Sequence, residues 1–434
     1  MQPISAESMA KAAVWPASPI KGITFWAIAA LFIIIHFFLQ LSFGVMIDGV
    51  RESFALDAFQ LSILSSAYFV IYVCLQIPAG MLVDRFGPRI LLSLGGLVCF
   101  LGCLIFSHTT WIVGAIVSRL LMGMGMAFAF ISSIHIAGKW FPIRYIAFMV
   151  GVTEGVALIG AILSNLILAK AITILKWQQC YFAVAIFIVV FSVFSWIVLR
   201  DSPYDGVHKQ VKKLNFSKML NNLTLLLRSG SLWLAGIYAG LCYSLATVYA
   251  ALWGIPFLIK AHAMNNYSAT FASTFIFLGM AVGTPMVTWF FGHGHNKYRQ
   301  GAMVLCPLIL LIAISGVIYW PGLAKDTIFM LHFIIGLASS TLILCYTIVS
   351  EMAPPRARST GIGFVNTLAL ITAPVFQLII GFVLEQRALT PEIITSVEAY
   401  SVRDYQLALS IIPGSLLLAM IMPFFIRPKE IAEV

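Results

Sequence analysis

The chain has 434 residues and a formal net charge of +10, yet only 10% of its side chains are charged and 61% are hydrophobic, with a mean hydropathy of +0.99. A soluble chain carries about a quarter charged residues, so this composition excludes a water-soluble globular protein and requires that most side chains face lipid. The basic balance does not call for nucleic acid, because cytoplasmic loops of membrane proteins concentrate Lys and Arg.

Apolar runs broken by charge, Pro and Gly predict membrane helices over 24–47, 60–80, 90–107, 111–138, 145–169 and 178–199. A polar stretch with Arg200, Asp201, Lys209, Lys212, Lys213, Lys218 and Arg228 follows. Six more helices are predicted over 231–259, 267–291, 300–320, 327–350, 359–384 and 405–426. The expected organisation is an N-tail over 1–23, a six-helix bundle over 24–199, a linker over 200–230, a second six-helix bundle over 231–426 and a C-tail over 427–434. Alternating crossings put 18 Lys and Arg on the side of the linker and seven on the other, with Arg119 inside a span. The positive-inside rule then places both tails and the linker in the cytoplasm. An all-α, multi-pass protein of the plasma (inner) membrane is expected. The first 20 residues hold Lys11, Pro16 and Pro19 but no short apolar core with a cleavage site, so the first helix is read as its own insertion signal. The seven cysteines all fall within predicted spans without Cys-x-x-Cys spacing, which points to neither a disulfide framework nor a metal site.

An offset of 212 residues aligns Pro142 with Pro354, Arg144 with Arg356, Gly151 with Gly363 and Glu154 with Asn366. The two halves read as copies of one unit, the arrangement with which transporters build bundles that rock about a central site.

The strongest local motif is Gly80-Met81-Leu82-Val83-Asp84-Arg85-Phe86-Gly87-Pro88-Arg89, between the second and third helices. Gly80 allows close approach of a neighbouring helix, Asp84 can accept from helix N-terminal amides or pair with Arg, and Gly87-Pro88 forces a tight turn. Together with Arg144 these residues read as a cytoplasmic latch. The motif resembles the G-x-L-x-D-R-x-G-x-R loop signature of the major facilitator superfamily, with every fixed position present. Arg119-Leu120-Leu121-Met122-Gly123-Met124-Gly125 is similar to that family's R-x-x-x-G-x-G in the fourth helix. The resemblance implies twelve helices in two pseudo-symmetric six-helix bundles, alternating access, and function as a monomer. In the second half the latch reads Gly292-His293-Gly294-His295-Asn296-Lys297-Tyr298-Arg299, without the acidic anchor. The G-P-x-x-G-G of drug/proton antiporters is replaced by Gly160-Ala161-Ile162-Leu163-Ser164-Asn165, which favours uptake over efflux. Lys139-Trp140-Phe141-Pro142 with Gly151-Val152-Thr153-Glu154, and Leu252-Trp253-Gly254-Ile255-Pro256-Phe257, are similar to stretches of nutrient carriers of intracellular bacteria.

An ionisable group at mid-bilayer costs a few kcal/mol and marks a candidate site. Glu154 lies about 15 Å from the inner end of its helix and Arg119 about 12 Å from the outer end of its own, at about 1.5 Å per residue, so the two are expected to meet near mid-membrane. His36 and Gln40 share one face of the first helix. The candidates for proton coupling are Glu154, Arg119 and His36; those for the substrate cavity are Gln40, Arg119, Tyr243, His332 and Asn366. Tyr68, Tyr72, Gln76, Tyr249 and Gln377 are further lining candidates.

The expectation is a secondary active transporter, most simply a proton symporter importing an amino acid, peptide, nucleoside or carboxylate, with no cofactor and the proton gradient as energy source. An efflux pump, an uncoupled facilitator and an integral-membrane transferase are the alternatives. The absence of a G-x-x-x-x-G-K-[ST] loop argues against ATP. Asp84→Ala is expected to leave folding intact and to slow transport by loosening the latch; unchanged uptake rates would remove that role.

Overall fold

The computed structural model describes residues 18–203, 224, 226–291, 296–320, 322–353, 358–387 and 400–426, and all of the regular structure in them is helical. The N-terminal half comprises α1 (Pro19–Val45), α2 (Ala58–Phe86), α3 (Pro88–His108), α4 (Ile112–Met126, resuming as Ala129–Trp140), α5 (Ile143–Ala171) and α6 (Trp177–Val198). The other half comprises α7 (Gly230–Ser244, continuing through a π-helical Leu245–Trp253 into Gly254–His262), α8 (Asn266–Phe291) and α9 (Asn296–Tyr319). Its last three helices are α10 (Lys325–Ser339, resuming as Leu342–Met352), α11 (Arg358–Glu385) and α12 (Val402–Leu409 and Ile411–Ile421). Twelve of these stretches are long and apolar enough to cross a membrane. The expected tails and most of the expected linker lie outside the described residues.

Local chemistry sets the ends. Asp57 and Gln60 form a capping box at the start of α2, with Gln60 N–H donating to Asp57 Oδ1 at 2.7 Å. Ser401 and Asp404 do the same for α12. At the junction of α2 and α3, Gly87 has φ +81°, a backbone conformation that side chains oppose, and Pro88 opens the next helix. The breaks in α4, at Ala127–Phe128, and in α10, at Ser340–Thr341, are related by the same offset of about 212 that aligns the two halves.

Burial separates central from peripheral helices. In α7, 89% of the membrane window is enclosed by protein, against 33% in α6, whose Phe187, Val190, Trp196 and Ile197 face outward. The halves meet along α2 with α11, α5 with α8, and α1 with the π turn of α7. We call the membrane face where α1 begins the linker face and its opposite the far face.

The described side-chain contacts between halves gather toward the far face. Ser66 donates to Gln377 Oε1 at 3.3 Å, and the Phe59 and Phe382 rings meet edge-on at 6.1 Å. Arg51, in the short helix Ile47–Phe54, is buried with its guanidinium over the Tyr400 ring at 5.2 Å. Burial beside it raises the Asp48 carboxyl above its ordinary range, with Arg51 opposing the shift. A Cβ at Gly381 would come within 2.7 Å of the Ala58 carbonyl oxygen.

Toward the linker face the picture reverses. Cβ atoms added at Gly80, Gly151, Gly155 or Gly363 would meet nothing within 4 Å. Gly80 was expected to let a helix approach closely, and Gly151 and Gly155 to permit tight packing; none does so in this conformation, because the halves are parted there. Gly160, farther along α5, does pack on the backbone of Ile34. Among the described residues the halves are thus in side-chain contact toward the far face and apart at these glycines toward the linker face. Gly381→Val is expected to destabilise this closure by about 1–3 kcal/mol, lengthening spin-label distances across the far face. Gly363→Val should leave those distances unchanged, and equal behaviour of the two variants would show that the Gly381 contact does not hold the closure.

Candidate functional site

A cavity lies between the halves at mid-membrane. His36 and Gln40 from α1, Tyr72 from α2, Glu154 from α5, Tyr243 from α7 and Asn366 from α11 line it. Phe37, Phe130, Leu158, Met280, Leu342, Ile343 and Leu370 supply apolar wall. The interruptions of α4 and α10 fall just before Phe130 and Leu342, so the repeat-related breaks border the cavity. Six sequence candidates, His36, Gln40, Tyr72, Glu154, Tyr243 and Asn366, therefore share one space. The repeat partners Glu154 and Asn366 both line it.

His36 is held on two sides. Its Nδ1 is hydrogen-bonded to the Tyr68 hydroxyl at 2.7 Å, that hydroxyl also donates to the His36 carbonyl at 3.2 Å, and the imidazole stacks on Tyr72 at 4.4 Å. Across the cavity the Tyr346 hydroxyl donates to Asn366 Oδ1 at 2.8 Å, fixing the amide. Tyr346 and Thr284 are lining residues that sequence reasoning missed. The signal for Tyr346 was its place one turn beyond the break in α10, which the sequence does not reveal.

Arg119 and His332 are corrections. Arg119 was expected to meet Glu154 and to line the cavity, but it is fully enclosed. Its Nη1 donates to the Leu39 carbonyl at 3.3 Å, and the guanidinium lies over the rings of Tyr68 at 4.9 Å and Phe43 at 5.2 Å. Among the described residues no ion pair joins it to Glu154. Ring faces and a helix carbonyl have taken the place of the carboxylate. His332, expected in the cavity, is buried against Tyr249 at 3.4 Å with its Nδ1 on the Ile328 carbonyl at 2.7 Å. One turn of its own helix satisfies it, so it has no need of the cavity. Gln377 is also absorbed structurally: its Nε2 donates to the Thr247 carbonyl, freed by the π turn, at 2.8 Å.

At the linker face the α2–α3 turn is tied to the end of α6. Asp201 Oδ1 accepts the Arg89 backbone N–H at 2.7 Å, satisfying an amide of the first turn of α3. The Arg89 side chain donates to the Trp196 carbonyl at 2.8 Å and lies over the Trp196 ring at 4.8 Å. Arg85 lies over Phe86. The side chains of Asp84 and Arg144 lie outside the described residues. In the second half the missing acidic anchor is supplied from elsewhere: Glu351, at the end of α10, takes Arg299 in a two-pronged pair at 2.6 and 2.8 Å. Asp201 and Glu351 are the acidic partners of these two segments, and the sequence motif did not contain them.

Two packed six-helix halves, repeat-related breaks and a mid-membrane cavity lined from both halves are the architecture of a membrane transporter. The profile of the Major Facilitator Superfamily matches residues 26–377, and the chain belongs to that family. It is similar to the "uncharacterized transporter YybO" of Bacillus subtilis, 23% identical over 362 residues that cover 77% of this chain and 81% of the relative. The "probable galactarate/D-glucarate transporter GudP" of Escherichia coli is 22% identical over 398 residues, covering 83% and 86%. Among solved structures, a bacterial homolog of the human lysosomal transporter Spinster, inward-facing and unoccupied, superposes with a TM-score of 0.76 at 15% identity, covering 94% of this chain and 98% of that one.

Asp201→Ala is expected to cost about 0.5–2 kcal/mol, the range for losing a helix N-terminal acceptor. It should lower the thermal midpoint in detergent and slow transport; wild-type values of both would show that Asp201 carries neither function.

Proposed function

We propose that the protein is a proton-coupled secondary transporter that imports a small polar or charged organic nutrient across the plasma (inner) membrane by alternating access, with both tails in the cytoplasm. The observation that carries this reading is Glu154, an acidic side chain at mid-membrane lining a cavity between the two halves. With the linker face cytoplasmic, the conformation described is inward-facing. The named relatives support transport of small solutes: besides GudP they include the hexuronate transporter of Bacillus subtilis.

Alternation follows from the contacts. Opening the far face must separate α2 from α11 and α1 from the π turn of α7, breaking Ser66–Gln377 and lifting Arg51 from Tyr400. Closing the linker face brings together stretches bearing the unfilled glycines Gly80, Gly151, Gly155 and Gly363. An ionised Glu154 resists closure of a dry cavity, because a charge losing its water without a partner is penalised. Protonation removes that resistance, which ties the conformational cycle to the proton gradient. His36 is the second titratable group in the cavity. Arg119 acts indirectly, by packing on the Tyr68 that holds His36.

The test is uptake by proteoliposomes of pooled labelled amino acids, peptides, nucleosides and carboxylates, with and without an inward proton gradient, for wild type and Glu154→Gln. Gradient-driven accumulation that is lost in Glu154→Gln is expected. Equal equilibration with or without the gradient would make the protein a facilitator and overturn the coupling.

A further inference from the structure

We propose that the cavity selects a solute bearing a protonated amine, with Glu154 as counter-ion and Tyr72, Tyr243 and Tyr346 as the wall against which the ammonium and its carbon body lie. This rests on the transport reading above and narrows its substrate class.

The first observation is the charge inventory. Among the described residues that line the cavity, Glu154 supplies the only carboxyl group and His36 the only imidazole, and there is no Lys or Arg. The nearby membrane guanidinium, Arg119, is walled off at 0% exposure, with its cationic face covered by Phe43 and Tyr68. An organic anion entering here would shed its water beside a carboxylate and find no fixed positive partner; an ammonium would find its opposite charge.

The second observation is the aromatic wall. Tyr72 comes from the N-terminal half and Tyr243 and Tyr346 from the other, while Glu154 comes from the N-terminal half. Ring faces attract cations, most strongly where water is excluded, and they tolerate the attached methylenes. A cation held by Glu154 on one side and by Tyr243 and Tyr346 on the other touches both halves at once, so its binding draws them together around it. Gln40, Thr284 and the oriented Asn366 amide are neutral donors and acceptors, suited to whatever uncharged or zwitterionic remainder the solute carries. A carboxylate on such a solute would have these groups and His36 to meet, with the amine still required at Glu154. The inference departs from the organic-acid names of the relatives, at sequence identities near 22%.

The experiment uses the purified full-length protein in detergent and in proteoliposomes. Thermal-shift and radioligand competition are run with primary alkylamines, diamines and α-amino acids, against D-glucarate, galactarate and hexuronates, and with the fully N-acetylated form of each amine that binds. Ammonium compounds are expected to bind at millimolar concentration or below, and N-acetylation, which removes the charge without touching the protein, to weaken binding at least about tenfold. Glu154→Gln should weaken it similarly and abolish counterflow, and Tyr243→Ala should weaken it where Tyr243→Phe does not. Binding of a sugar acid that Glu154→Gln leaves unchanged or tightens, no response to any ammonium compound, or N-acetylated forms binding as well as their parents would each overturn the proposal. The two readings fail separately. Counterflow of an amine without any gradient effect removes the proton coupling and keeps this inference, whereas gradient-driven uptake of a sugar acid keeps the coupling and removes this one.

Discussion

A polar group inside hydrocarbon has to find its partner within the protein, because no water is present to take it. Most membrane hydroxyls here meet that demand on their own helix, as Thr153 does on the Met149 carbonyl and Ser195 on the Phe191 carbonyl. Those that reach another helix decide how the bundle holds together. Ser164 donates to the Phe38 carbonyl and ties α5 to α1; Thr372 donates to the Gly240 carbonyl and ties α11 to α7; Tyr238 donates to the Met303 carbonyl and ties α7 to α9. All three stay within one half. Ser66 with Gln377 crosses between halves, close to the closed face. Each half is thus stitched internally while the seam between them is mostly apolar and ring contact, which can separate without stranding many polar groups. That distribution of hydrogen bonds is what allows two rigid bodies to part at one face and meet at the other.

The repeat has kept its joints and changed its fastenings. The breaks in α4 and α10 fall at equivalent places and both border the cavity, whereas α1 runs unbroken where its counterpart α7 adopts π geometry. The π turn leaves the Thr247 carbonyl for Gln377, so one half spends a backbone irregularity to anchor the residue that also meets Ser66. At the linker face the N-terminal half fastens its turn to the end of α6 through Asp201 and Arg89, and the other half uses Arg299 with Glu351. Both fastenings join an arginine near the start of a third helix to an acidic group brought in by another element. The place of the fastening is repeated between halves while its chemistry differs, a backbone amide at Asp201 in one and a guanidinium at Glu351 in the other.

The twelve helices were legible because hydropathy over some twenty residues is a strong signal in a lipid solvent, but the ends were less so: the predicted start at 24 passed over Pro19, and the predicted end at 80 stopped short of Gly87. His36 and Glu154 stood out because an ionisable side chain in an apolar run is costly unless it is used. What could not be read was the partner. Arg119 found rings and a carbonyl instead of the carboxylate, and aromatic side chains are too common in this chain for any one of them to announce that role. His332 looked equivalent by depth, yet rotation about the helix axis set it against Tyr249 and away from the cavity. Gly80 carries a close-packing motif, but the contact it permits depends on which face is closed, and a sequence has no conformational state. Glu351 was invisible as a latch residue because its partner lies 52 positions away.

The two opposite charges near mid-membrane are kept in different dielectric settings. Arg119 is sealed among rings, and its charge stays constant through any motion that leaves the N-terminal half intact. Glu154 lines the cavity between the halves. Whatever neutralises Glu154 lowers the resistance to closure, and a proton and an ammonium do so equally well. The same carboxylate cannot hold both. A cycle that used Glu154 alone would therefore exchange protons for cations, moving them in opposite directions. Moving a proton and an ammonium together requires a second titratable group within the same cavity, and His36, stacked on Tyr72 and anchored through Tyr68, is the group placed there. On the proton-coupled reading proposed above, Glu154 and His36 together supply the two titratable positions that joint movement of a proton and an ammonium requires.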